Sequence, residues 1–269
     1  MISRPGTPHM DRTAQSIASQ RQGRIVDRLR SASFLGIQDL CADLGISEAT
    51  ARRDLAELES QGRLRRTHGG AVPCQQVARD FTNAERLSRH PAEKQRIAQA
   101  AAALVQEGDV VFLDAGTTTL QVAQALSTRR DLTFITNGVD ICNHLTAAQV
   151  DRLYVIGGQY FDATHGFAGP LAAEAIGRFT VDKVFLSVGA VDLERRTICI
   201  SLPELAEAQR AMIAIAHKVY VVADHSKFER SALSVIAALD DLDCVITNAA
   251  TRAIARDLST EIARKIVFA

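Results

Sequence analysis

Ser47-Glu48-Ala49-Thr50-Ala51-Arg52-Arg53-Asp54-Leu55 opens with a residue type that caps helices and runs into an arginine pair. Ser47 can accept a hydrogen bond from a first-turn N–H, so a helix is predicted from Glu48 to about Gln61, with Leu55 and Leu58 facing inward and Gly62 ending it. Upstream, Gln22 to Ser31 sets Ile25, Val26 and Leu29 on one helical face, and Ile37 to Leu44 repeats the pattern with Leu40, Cys41 and Leu44 before Gly45 breaks it. Downstream, Arg63 to Val72 reads as a short basic hairpin turning at Gly69-Gly70. Three close helices and a hairpin have the spacing of a winged helix-turn-helix, whose third helix offers its N-terminal half to the DNA major groove. Ser47, Thr50, Arg52 and Arg53 suit phosphate oxygens or base edges, and Arg63, Arg65, Arg66 and His68 line the wing. From Arg21 to Cys74 there are nine arginines against seven acids, so the signal is their clustering rather than their total. A plainer alternative is a helical dimerisation module whose arginines pair with Asp54, Glu57 and Glu59.

The chain has 269 residues, 47% hydrophobic and 23% charged, a globular balance that excludes a disordered chain. Lys plus Arg equals Asp plus Glu at 31 each, so the protein is not basic throughout. Cys41, Cys74, Cys142, Cys199 and Cys244 show no zinc or redox spacing and read as thiols of a reducing compartment. With no membrane-length apolar run and no signal-peptide core, a cytoplasmic protein is expected. Residues 1–18 read as a flexible leader, 19–74 as the winged helix-turn-helix, 75–91 as a linker and 92–269 as an α/β domain. In that last part apolar runs (Val110 to Leu113, Leu132 to Ile135, Leu153 to Ile156, Val184 to Val188, Val219 to Ala223, Cys244 to Thr247) alternate with helical stretches (Ala92 to Val105, Leu120 to Leu126, Leu171 to Ile176, Glu204 to His217). Continuous apolar strands alternating with helices predict a largely parallel sheet covered on both faces. Ligands of such sheets bind beyond the strands' C-terminal ends.

Four polar turns end these strands. Asp114-Ala115-Gly116-Thr117-Thr118-Thr119 closes one strand and opens a helix, offering hydroxyls, free N–H groups and a positive dipole end to an anion. Thr136-Asn137-Gly138, Gly157-Gly158 and Asp224-His225-Ser226-Lys227 end three others. Lys227 can neutralise phosphate, and Asp114, Asn137 and Asp224 can bond sugar hydroxyls. Each turn also has an ordinary explanation in turn and cap chemistry; their shared sheet edge favours one pocket. His68, His144, His165, His217 and His225 are scattered, so no metal site and no cofactor are expected.

The third helix together with Gly62-Arg63-Leu64-Arg65-Arg66-Thr67-His68-Gly69-Gly70-Ala71 resembles the signature of the DeoR family of bacterial regulators. Ala51 stands where that family usually has Ile. The resemblance extends over about residues 20 to 250 through Leu113 to Thr118, Thr136-Asn137, Gly157-Gly158, Gly169 and Asp224 to Phe228. It implies a C-terminal domain similar in fold to ribose-5-phosphate isomerase, binding a phosphorylated sugar or polyol as inducer. Gly116, Thr117 and Thr118 would then hold phosphate, and Asp114, Asn137 and Lys227 would line the pocket. It further implies a repressor that leaves double-stranded operator DNA when the inducer binds, and helix-turn-helix proteins commonly read paired half-sites as homo-oligomers. Two positions depart from the family pattern: Phe161 where Arg is common after Gly-Gly, and Leu205 where Glu is frequent. The rival class is a sugar-phosphate isomerase carrying a helical module. Such an enzyme needs a base and enediolate stabilisers, yet Val188-Gly189-Ala190-Val191-Asp192 keeps one acid and Thr197 to Leu202 has neither lysine nor glycine. A third class, an interaction module with an inert sensor, fits poorly with the intact Asp114–Thr119 turn and Lys227.

Overall fold

The structure, a computed structural model, describes residues 18, 21–26, 28–29, 34–60, 64–67, 69–73, 81–228, 230–255, 258 and 260–269, with the backbone alone at 65, 72 and 73. The chain divides into two compact units, Met1–Gln76 and Val77–Ala269.

In the first unit residues 21–26 and 28–29 are helical (α1). They are followed by β1 (Leu35–Gly36), α2 (Ile37–Leu44), α3 (Glu48–Ser60), β2 (Leu64–Thr67) and β3 (Gly70–Pro73). Gly45 ends α2 in the left-handed conformation, its N–H donating to Cys41 O. The Thr50 N–H donates to Ser47 Oγ at 3.3 Å, the predicted cap. Ile25, Leu29, Leu40, Ala51, Leu55 and Leu58 share one buried core, so the third helix turns inward the face its period assigns. Asp54 is buried on that helix and receives Arg21 Nε at 2.5 Å and Nη2 at 2.9 Å, fastening α1 to α3. The strands pair antiparallel in the order β1-β3-β2. β1, only two residues long, escapes pattern reading. Thr67 pairs with Gly70, so the wing reverses between these two residues rather than at Gly69-Gly70. Gly70 belongs instead to β3, where a Cβ would lie 2.1 Å from Leu35 O; only glycine lets β1 approach.

The second unit is built on a seven-stranded sheet. Its strands are β4 (Val110–Leu113), β5 (Thr133–Thr136), β6 (Leu153–Val155), β9 (Val181–Ser187), β12 (Ala216–Val222), β14 (Cys244–Thr247) and β15 (Ile266–Phe268). Their order is β15-β14-β12-β9-β4-β5-β6 and every pairing is parallel. The pleat sends successive residues to opposite faces. Val111, Leu113 and Phe185 pack with α5 (Pro91–Ala102), α6 (Thr117–Leu126) and α7 (Val139–Ala147). Phe112, Val184 and Leu186 pack with α8 (Pro170–Ile176) and α9 (Pro203–Ala214). The expected α/β class with a largely parallel sheet is what the chain adopts.

Several elements differ from the sequence expectation. The helix expected through His217 stops at Ala214, and His217 lies in β12, where register with β9 (Ala216↔Val181) captures the chain. Two small antiparallel additions were not foreseen: the hairpin β7 (Gln159–Phe161)–β8 (Gly166–Ala168), and the sheet β10 (Ala190–Asp192), β11 (Thr197–Ile200), β13 (Ser234–Ala238) in the order β10-β11-β13. Within the stretch read as linker, Asn83–Ser88 form α4, nucleated by a capping box in which Glu85 N–H donates to Thr82 Oγ1 at 3.3 Å and Thr82 N–H to Glu85 Oε2 at 2.9 Å. No helix of the described residues is long and apolar enough to cross a membrane.

Candidate functional site

On the helix-turn-helix unit, Ser47, Arg52 and Arg53 are exposed at the start of α3 and Thr50 is half-buried beside them. Ser47 Oγ and Thr50 Oγ1 lie 2.9 Å apart, so the cap also presents two hydroxyls at the helix end. Arg52 is held by Glu48 at 2.6 Å one turn earlier, and Arg66 by Glu59 at 2.6 Å. The Arg66 backbone and side chain also hold the Glu59 carboxyl below its ordinary pKa. Arg53 forms no ion pair with any described residue, which leaves its guanidinium the most available on this helix. Arg65 lies in β2 by its backbone; Arg63 and His68 fall outside the described residues.

In the α/β unit the parallel topology gathers the C-terminal ends of β4, β9 and β12 at one edge. There a cleft of about 420 Å³ is lined by Thr117, Thr118, Ser187, Asp224, Ser226 and Lys227. Thr117 and Thr118 form the first turn of α6, whose N–H groups there have no helical acceptors. Opposite them stand Arg86, Arg89, Lys94 and Arg230, with Phe81. Among the described residues that line it, five are cationic and one, Asp224, is acidic. Arg89 and Arg230 sit 4.3 and 4.8 Å from the Phe81 ring centroid. Lys94 is buried and donates to Arg86 O; its pKa falls through desolvation, which the pull of Asp224 does not cancel. Burial likewise pushes Lys227 down to about 8, against the attraction of Asp224. Asp224 is itself raised by burial, but bonds from Ser226 and the charge of Lys227 outweigh this and leave it below the ordinary carboxylate value. Crowded, half-desolvated cations at a helix N-terminus form an electrostatic environment that an anion would relieve.

Asp114 and Asn137 line a smaller pocket further in, together with Thr164, Leu205 and Gln209. Asp114 is buried, and desolvation lifts its pKa to about 6 despite hydrogen bonds from Gln209 and the Ser187 N–H. Asn137 ties three elements together: Oδ1 accepts from Ala115 N–H at 2.9 Å and Nδ2 donates to Phe167 O at 2.8 Å. Gly116 is a close-packing position, where a Cβ would fall 2.3 Å from Ser187 Oγ.

The remaining sequence candidates lie off these walls. Thr119 Oγ1 turns back to donate to Gly116 O at 2.9 Å. Thr136 Oγ1 donates to Leu113 O at 2.7 Å and accepts from Gly138 N–H at 3.0 Å, spending its hydroxyl on strand ends. Gly157 and Gly158 are exposed in the β6–β7 connection, and β6 is the edge strand of the sheet, away from the central β4, β9 and β12 ends. Sequence reasoning missed Arg86 and Arg89, which lie in the polar 75–91 stretch read as linker, and also Lys94, Arg230, Ser187 and Gln209. The capping pair Thr82 and Glu85, which starts the helix carrying Arg86, was the available signal for that segment.

A winged helix-turn-helix in one chain with an α/β domain of this kind defines a DNA-binding regulator with a separate sensing domain. The DeoR-like helix-turn-helix domain matches residues 21–77 and the DeoR C-terminal sensor domain matches residues 89–249. The transcriptional repressor AccR of Agrobacterium fabrum is 47% identical over 249 residues, 93% of this chain and 96% of its own length. The glycerol-3-phosphate regulon repressor of Escherichia coli K12 is 30% identical, over 86% of this chain and 91% of its own. Among solved structures, ribose 5-phosphate isomerase A of Methanocaldococcus jannaschii matches with a TM-score of 0.38 and 16% identity, over 50% of this chain and 53% of that one. The chain belongs to the DeoR family. It is a DNA-binding transcriptional regulator and not an enzyme, and the isomerase alternative is set aside by the company its sequence keeps.

Proposed function

We propose that this regulator is a repressor of a sugar or polyol catabolic operon, released when a phosphorylated sugar or polyol occupies the α/β cleft. The observation that carries the effector class is the cleft's charge: Lys94, Lys227 and three arginines face Thr117 and Thr118 at the start of α6, the setting in which a phosphate gains most from N–H groups and side-chain cations. A relative's name, glycerol-3-phosphate regulon repressor, accords with that class. In this reading Thr117, Thr118 and Lys227 hold phosphate, Asp114 and Asn137 shape the far end, and Asp224 sets the charge of Lys227. Gly116, Thr119, Thr136, Gly157 and Gly158 support the fold around it.

On the DNA side, α3 enters the major groove of a double-stranded operator with Arg53 foremost, helped by Ser47, Thr50 and Arg52, while the wing arginines Arg63, Arg65 and Arg66, with His68, hold phosphates. The protein works as a homo-oligomer on paired half-sites in the cytoplasm. The effector binds the DNA-free form more tightly, so operator DNA must weaken effector binding by the same factor. The test is fluorescence anisotropy on DNA from upstream of the protein's own gene with a panel of sugar and polyol phosphates. Release by one of them is the expected result. Retention of DNA at saturating levels of every phosphate known by calorimetry to bind would remove the inducer mechanism.

A further inference from the structure

The cleft continues inward, and its chemistry changes on the way. The outer compartment shares Ser187, Val188, Lys227 and Arg230 with a middle one of about 540 Å³. That compartment shares Ala115, Thr164, Ile200 and Leu205 with the innermost pocket of about 220 Å³. Arg86, Lys227 and Arg230 line the first two, whereas no cationic side chain among the described residues lines the last. One wall of the innermost pocket is apolar, formed by Ala168, Ile200, Leu205 and Ala208.

Gln209 decides what the other wall can bind. It is 2% exposed, and its Nε2 donates to Asp114 Oδ2 at 2.7 Å and to Ser187 O at 2.5 Å. Turning the amide over would set an oxygen against two acceptors, so the chemistry fixes its orientation. Oε1 is then buried and accepts no hydrogen bond from any described residue, a costly state for a carbonyl. The neighbouring polar groups do not supply a donor: Asn137 Nδ2 is engaged by Phe167 O, and the Thr164 hydroxyl lies 3.4 Å from Phe161 O as its donor. Asp114 and Gln209 both line this pocket, so its polar wall is built from a carboxylate and an amide whose Oε1 has no donor among the described residues, beside a surface suited to C–H groups.

We propose that Gln209 Oε1 is a specificity determinant that accepts a hydrogen bond from a hydroxyl at the unphosphorylated end of the effector. The sensor then takes polyhydroxy monophosphates with a neutral far end and rejects bisphosphates and phosphorylated sugar acids. A second anion would meet Asp114 with no cation beside it, and Leu205 would pack against carbon rather than charge. This inference rests on the outer cleft being the phosphate site.

The experiment is calorimetric titration of the full chain with inorganic phosphate and with matched pairs: fructose 6-phosphate against fructose 1,6-bisphosphate, ribulose 5-phosphate against its 1,5-bisphosphate, and glycerol 3-phosphate against 3-phosphoglycerate. At least one monophosphate should bind about tenfold or more tighter than both inorganic phosphate and its doubly anionic counterpart, the discrimination a lost buried hydrogen bond provides. In Q209L the ratio of monophosphate to inorganic phosphate affinity should fall about tenfold. Because Q209L also removes two internal bonds, Q209K is the second variant: its ammonium keeps a donor for Asp114 and Ser187 O and replaces the acceptor with a cation, so preference should shift toward the doubly anionic counterpart. Equal affinity within every pair, or unchanged ratios in both variants, overturns the role of Gln209 while leaving the phosphate cleft standing. Failure of inorganic phosphate and every monophosphate to bind overturns both.

Discussion

Arg52 and Arg66 of the DNA-reading unit each meet a glutamate at 2.6 Å, in water, with both partners at least a third exposed. Lys94 and Lys227 of the sensing unit sit among other cations, and burial pushes both pKa values down. The first arrangement is cheap to hold and easily exchanged for phosphates of a duplex, a partner whose own charge supplies the driving force. The second holds its charges at a cost in the ligand-free fold, a cost that an anion in the proposed phosphate site would recover. On that proposal one unit meets DNA and lets go, while the other is strained toward its ligand. Substitutions that separate the two should therefore behave differently.

The largest effect is expected from Thr117→Glu. It places a carboxylate at the α6 N-terminus amid the cationic cleft, where it would take the anion's place. Effector affinity should fall at least about 100-fold, ~2.8 kcal/mol, while operator affinity without effector is unchanged. Calorimetry and anisotropy on the same preparation check this, and a normal inducer response would remove Thr117 from the site. Next comes Arg53→Ala. Loss of an arginine with no ion pair to any described residue, at the proposed groove-facing start of α3, should cost ~1–3 kcal/mol of operator binding, and the sensor should still bind its effector with unchanged heat. Operator affinity equal to wild type in filter binding would take Arg53 out of the interface.

How far these features could be read from residues alone follows the same division. The reading head is local: Ser47, Arg52, Arg53 and the inward Leu55 and Leu58 lie within one helix, so spacing alone placed them. Five of the six apolar runs became strands because each is a continuous stretch that a doubly covered sheet buries; the remaining strand, β6, lies at the sheet edge, with Tyr154 and Val155 exposed. β15 and the three-residue strands β6, β7, β8 and β10 are too short for period-2 patterning to be decisive; β6 was found by its apolar content, and the others were not. Turn chemistry at four strand ends pointed to Thr117, Thr118 and Lys227, which line the cleft, and equally to Gly157-Gly158 and Thr136, of which the glycines lie in the β6–β7 connection and Thr136 bonds strand ends. Gln209 was invisible for a different reason. Its partner Asp114 is 95 residues away, and nothing in the local sequence of α9 says that this one amide is buried against a carboxylate. Arg86 and Arg89 reach Lys227 only through the tertiary fold.

A smaller effect sharpens the claim of strain. Removing the buried cation by Lys227→Met should make the effector-free sensor more stable at pH 7, not less, while abolishing the response. The ordinary lysine pKa of 10.5 is lowered to about 8 in the fold. The folded state therefore binds the proton less readily than the unfolded one, and the penalty is fully present below pH 8 and fades as pH rises toward 10.5. Asp224 loses a partner in the exchange, so a net gain of only about 1 kcal/mol, or about 2–4 °C in Tm, is expected at neutral pH. Thermal melts at pH 7 and pH 10 check the sign: the gain should shrink at the higher pH. A lower Tm for the variant at both pH values would mean that Lys227 stabilises the fold, and the contrast between the two units would fail.

The smallest effect belongs to Arg52. Its pair with Glu48 spans one helical turn with both side chains more than half exposed, a contact worth ~0.2–0.5 kcal/mol. To reach DNA, Arg52 must give up that glutamate or carry it toward the phosphates, so much of what it gains is offset. Arg52→Ala should weaken operator binding only about two- to threefold, well short of Arg53→Ala, at the few tenths of a kcal/mol such pairs exchange. Glu48→Ala should move the other way, freeing the guanidinium and removing an acid from the groove-facing helix end. Its gain should be larger at low salt, where exposed charges are least screened. Anisotropy at two salt concentrations separates these outcomes. If Arg52→Ala cost as much as Arg53→Ala, the glutamate would be no restraint at all, and the ion pairs of the reading head would have to be understood as positioning its arginines for DNA rather than holding them back.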